Sequence, residues 1–130
     1  MEKNGFVSLW VGKVEKSEEM DGLLQPSYTS DGDFVPSVFA RSFKIERYDP
    51  AVQESDYLGN SHNAVDVLLE DFSYDDVIIP KFQGLCGEEL TNDYNAVVLM
   101  YNFDYKGDHR QATIGGSSWD FIGVVQYLQS

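Results

Sequence analysis

Apolar side chains gather in four stretches of the chain. Phe6–Val11, broken only by Ser8, and Ala96–Tyr101 (AVVLMY) are close to continuous and rich in β-branched and aromatic residues. Short runs of that kind predict strands buried on both faces. A third, Phe121–Leu128 (FIGVVQYL), follows the turn-forming GGSS at 115–118. The fourth, Phe43–Tyr48 (FKIERY), alternates apolar with polar residues, as a half-exposed strand near an edge does.

Helical spacing fills the gaps. Ser17 is placed to cap a short helix with Glu18 and Glu19 in its first turn, where carboxylates favour the helix dipole. Met20, Leu23 and Leu24 then form one apolar face, and Pro26 ends it. Over Ser61–Phe72, the residues Val65, Leu68, Leu69 and Phe72 recur at i, i+3, i+4 and i+7, the clearest helical stripe in the chain. Ser73 with Asp76 three positions on reads as a capping box before a helix over Val77–Leu85, which Pro80 must kink or split. The predicted order β-α-β-α-α-β-β describes an α+β fold: a mostly antiparallel sheet of about four strands with two or three helices, its last two strands paired. No repeat, low-complexity tract or long linker divides residues 1–130, so one domain is expected.

Charge changes the picture most. The chain carries 22 acidic and nine basic residues, a formal net charge of −13. Solubility of a small domain is served by a magnitude of about 2–8. Between Tyr48 and Tyr105 there are twelve acids and a single base, Lys81. Such a field repels nucleic acid and anionic membranes and steers basic partners inward. With 42% hydrophobic and 14% aromatic residues, the chain is nonetheless able to build a core. One cysteine, Cys86, fits a reducing compartment, and no apolar stretch approaches the ~20 residues that span a bilayer. A cytoplasmic location is expected.

Patterns for catalysis and metal binding fail at named positions. GFVSLWVGK at 5–13 has six residues between its glycines where a phosphate loop needs four, and Val14 stands in place of the Ser or Thr. GGSSW at 115–119 has Trp119 where a nucleophile elbow needs glycine. An enzyme reading survives only as Cys86, or as Ser117 with His109 and Asp108. Acidic neighbours Glu88 and Glu89 would raise the Cys86 thiol, which is better read as a small buried residue near a helix end. One cysteine and two distant histidines make no zinc site. Calcium loops started at Asp31 or Asp71 meet Pro36 and Asp76 where glycine belongs. No catalytic residue, metal or cofactor is expected.

The opening strand with Trp10, Val11 and Gly12 is followed by a short acidic helix and Tyr28. Next come SVFARSFKIERYDPAVQES, holding Phe39, Phe43, Ile45, Tyr48, Asp49 and Glu54, and then VVLMYNFDY and DFIGVVQY. In this order and spacing, over about residues 5–128, the chain resembles the immunity protein 22 family of bacterial polymorphic toxin systems. The resemblance implies a cytoplasmic α+β protein, made beside a secreted toxin, that binds and neutralises it without catalysis. Trp10 and Gly12, on a predicted central strand, are expected to pack the core. Asp49 and Glu54 flank Pro50 in a predicted loop, where binding residues concentrate; Asp49 equally suits a turn cap before proline.

Tyrosines interleaved with acids (Tyr48, Tyr57, Tyr74, Tyr94, Tyr101, Tyr105) are candidate anchors for a partner. Tyr48, Asp49, Glu54, Asp56, Tyr74, Asp75 and Asp76 are the expected partner-binding residues. The expected partner is a cognate toxin domain, basic in charge and a nuclease in one version of the account. The competing reading is an acidic adaptor or regulator that binds a basic host protein.

Overall fold

A computed structural model describes residues 1–129. The chain forms β1 (Glu2–Lys13), α1 (Ser17–Leu24), a ribbon of β2 (Ser27–Tyr28) and β3 (Phe34–Val35), and α2 (Val38–Ser42). There follow β4 (Gln53–Ala64), α3 (Val65–Leu69), α4 (Asp75–Cys86), β5 (Glu89–Phe103), β6 (Gln111–Ile114) and β7 (Ser117–Gln126). The fold is α+β. Its five-stranded sheet has the order β4-β5-β1-β7-β6, and every neighbouring pair is antiparallel.

The continuous apolar runs lie where both sheet faces are covered. Val7, Leu9 and Val11 of β1, with Val97, Leu99 and Tyr101 of β5, pack against Leu68 and Leu69 of α3 and Ile78 and Phe82 of α4. The intervening positions Trp10, Val98 and Met100 face Met20 and Leu24 of α1 and Phe39 and Ala40 of α2. Trp10 is fully buried, with Phe39, Phe43, Tyr105 and Phe121 rings centred 5.5, 5.9, 5.4 and 5.2 Å away. Burial of a large aromatic contributes about 1.5–3 kcal/mol, so this cluster is a main source of stability.

Within β5 the alternation shifts at one point. Tyr101 faces the α3–α4 layer, and Phe103, two positions on, faces the opposite layer. Asn102 between them has φ 55°, opposite the irregularity in β1 around Gly5 (φ 82°). The Asn102 Oδ1 accepts from the Gly5 amide at 3.0 Å and the Tyr127 hydroxyl at 2.7 Å, which holds the bulge in place.

Three expected elements are corrected. Phe43–Tyr48 is not a strand. It leaves α2 through Lys44 (φ 62°), with the Ile45 amide donating to Ala40 O at 2.8 Å, and then runs across the core. Phe43, Ile45 and Tyr48 are buried, so the alternation was real, but it reports packing onto the sheet and not pairing within it. The fourth long strand is β4, whose sequence QESDYLGNSHNA lacks apolar alternation because it lies at the sheet edge. It takes residues 61–64 from the expected helix, leaving Val65, Leu68 and Leu69 in α3 and Phe72 beyond it. The two strands expected to pair with each other, β5 and β7, instead flank β1.

Helix caps differ as well. Lys16, not Ser17, caps α1, and α4 is capped by Tyr74 in left-handed backbone (φ 62°), so the Ser73–Asp76 capping box does not form. Four α-helices are present among the described residues, and α4 runs through Pro80 without splitting. The GGSS turn is as expected: Gly115 (φ 58°) and Gly116 join Ile114 to Ser117 in a two-residue hairpin.

Candidate protein-binding site

The seven expected binding residues fall in two places. Tyr48 is buried against Phe34 (ring centroids 5.3 Å apart), and its hydroxyl accepts from the Ser37 amide at 3.1 Å. It is a core residue first, with only its edge lining an open cleft of about 1000 Å³ beside Asp33, Glu46 and Asp49. Asp49 is exposed and uses Oδ1 to accept from the Ala51 amide at 2.9 Å, capping the single helical turn Pro50–Val52. The cap is therefore real, and the second carboxylate oxygen is left to solvent.

The other five gather where β4 meets the loop between α3 and α4. Glu54 pairs with Leu99 and Asp56 with Val97, so both carboxylates rise on the α3–α4 side of the sheet. Glu54 accepts from the Ser73 amide at 3.0 Å and from the Ser73 hydroxyl at 2.5 Å, tying the loop to the strand. Asp75 Oδ2 accepts from the Asp71 amide at 3.0 Å, and Asp75 and Asp76 lie in the first turn of α4, where the dipole favours negative charge. Between strand and loop lies a groove of about 270 Å³ walled by Glu54, Asp56, Glu70 and Asp71, with Phe72 at its base. Glu70 and Asp71 were not among the expected residues, although they stand three to four positions before Tyr74 in the sequence.

Tyr74, two positions beyond Phe72, is 46% exposed, its ring 4.9 Å from that of Tyr127 and 6.4 Å from that of Tyr101. Both Asp71 (φ 70°) and Tyr74 (φ 62°) adopt left-handed backbone, a conformation that costs an ordinary residue about 1–2 kcal/mol. Fixed by Glu54 and Asp75, the loop keeps Tyr74 turned outward. The remaining expected anchors are otherwise occupied. Tyr94, Tyr101 and Tyr105 are buried and donate to Asp120 Oδ2, Ser73 O and Phe43 O. Tyr57 is half-buried and donates to Glu15 O.

Charge on this face is uncompensated. Among the described residues the ion pairs are Lys3–Asp104 and Lys106–Asp104, both at 3.8 Å, so Asp104 is the one acid with a basic partner. Lys81 gives its ammonium to Gln126 O instead of to a carboxylate. The Tyr101 phenol registers the field: burial first, then the Glu54 carboxylate, push it well above its ordinary value.

Residues of the enzyme reading are not assembled for chemistry. Ser117 is 1% exposed; its hydroxyl donates to Ile114 O at 2.7 Å and accepts from Trp119 Nε1 at 3.1 Å, bracing the hairpin. Asp108 and His109 lie exposed in the preceding loop. Cys86 is half-buried, not fully buried; its thiol donates to Phe82 O at 3.1 Å, and burial raises its pKa. Among the described residues no group of three His, Cys, Asp or Glu is arranged to hold a metal ion, and no helix is long and apolar enough to cross a membrane.

A family model described as Immunity protein 22 matches residues 7–128, nearly the whole chain. The chain belongs to the immunity protein 22 family. No curated protein and no solved structure matches it. The family's name points to a toxin-neutralising role. Within this immunity protein, Trp10 and Gly12 pack the core as expected: Trp10 is fully buried, and Trp119 lies over Gly12.

Proposed function

We propose that this immunity protein, acting as one domain in the cytoplasm, binds and neutralises a cognate toxin domain of a polymorphic toxin system. The toxin's docking surface is basic. The observation that carries this reading is the unpaired acidic face where β4 meets the α3–α4 loop, with exposed Tyr74 in that loop. Glu54, Asp56, Asp75 and Asp76 draw the toxin in, and Tyr74 provides an aromatic anchor of the kind that dominates interface energetics. Asp49, beside the larger cleft, extends the acidic surface. The partner is a protein, because a field of this sign repels nucleic acid and anionic membranes.

Electrostatic steering of this kind raises association rates towards about 10⁸–10⁹ M⁻¹s⁻¹ at low salt, against about 10⁵–10⁶ for neutral pairs. Slow dissociation, set by packed anchors, then sustains protection. The reading is tested by co-expressing the chain with the toxin domain encoded beside it. Cells are expected to survive and the two proteins to purify together; death of the cells despite normal levels of the folded chain would overturn it.

A further inference from the structure

β4 is an outer strand, with β5 on one side and no strand on the other. Over Gln53–Tyr57 it pairs residue by residue with Met100–Ala96, so this stretch is regular. Outside the sheet the Gln53 amide donates to Pro50 O, whereas Glu54–Tyr57 make no further main-chain hydrogen bond among the described residues. The stretch has no proline, and its charges, Glu54 and Asp56, are both acidic, so they blunt the edge against acidic strands but not against basic ones. At Gly59 (φ 81°) the register shifts between Tyr57 and His62, and the straight edge ends.

We infer that the toxin adds an extended basic segment to this edge as a sixth strand, lying along Glu54–Tyr57. The inference rests on the toxin-binding reading above and assigns it a mode. Strand addition draws affinity from main-chain hydrogen bonds and specificity from alternate side chains. Here one set of alternate positions meets Glu54 and Asp56, with Glu70 and Asp71 across the groove of about 270 Å³. Those positions of the incoming strand are lysine or arginine.

Charge also decides between occupants. A second copy of this chain pairing edge to edge would bring two sets of Glu54 and Asp56 together, and like charges on facing strands are destabilising. The opposite edge, β6, is four residues long and follows Arg110, so it offers a basic strand neither length nor complementary charge.

Hydrogen exchange on the full chain, free and in complex with the neighbouring toxin domain, tests the inference. The expected result is slowed exchange of amides within Glu54–Tyr57 on binding, with residues beyond Gly59 unchanged. The paired variant Glu54→Lys with Asp56→Lys, its fold checked by circular dichroism, is expected to bind roughly 100-fold more weakly. A complex that forms with protection elsewhere and none in Glu54–Tyr57 would overturn strand addition and leave toxin binding standing. Failure of the unaltered proteins to form any complex would overturn both.

Discussion

Gly12 and Trp119 face one another across β1 and β7, and a Cβ built on Gly12 would lie 2.4 Å from Trp119 Cε3. Trp119 is 1% exposed and held by its Nε1 bond to Ser117, so the ring has little room to yield. Gly12→Ala is expected to lower stability by about 1–3 kcal/mol, the usual cost of overpacking a core. Denaturant titration reads this as a lower midpoint at unchanged slope, and an unchanged midpoint would show that the ring moves aside. At this scale the sequence was informative where a residue's role is local. The Asp49–Pro50 pair announced its own cap, and WVG within an apolar run marked a core strand. Glu54 was different. Its partner Ser73 lies 19 positions away, and nothing short of the fold brings them together.

Strands buried on both faces were legible as elements, because burial leaves an unbroken apolar run. The edge strand β4 was not, since both its exposed positions and its acids read as loop. The apparent helical stripe was set by Val65, Leu68 and Leu69, which occupy one short helix, and residues 61–64 went to the sheet. The element scale also carries a pH dependence. Burial, then the hydrogen bond to Asp120, push the Tyr94 phenol up to about 12 from an ordinary 10.0. Tyr101, Tyr105 and Tyr127 are raised as well, in each case chiefly by burial. A folded-state pKa above the unfolded value favours the folded chain below about pH 10, and that contribution is lost as pH rises towards 12 and beyond. Melting temperature should therefore fall steeply above pH 10, with the late phenolates appearing as the fold opens. A melting temperature flat over that range, with all tyrosines ionising together, would show these phenols to be solvated.

For the whole molecule the deciding quantity is the net charge of −13 and where it is placed. Composition located the acidity between Tyr48 and Tyr105, and the fold turned part of it into a groove beside an open edge and an exposed tyrosine. Composition also separated the usable acids poorly from the structural ones: Asp49, Glu54 and Asp75 each accept from a backbone amide, whereas the carboxylates of Asp56 and Asp76 make no hydrogen bond among the described residues. The most direct test of binding through this face is the association rate with the neighbouring toxin domain, measured as salt is raised. Pairing of opposite charges predicts fast association at low salt that slows by one to two orders of magnitude as the Debye length shrinks from about 30 Å to about 8 Å. An association rate indifferent to salt would contradict the account.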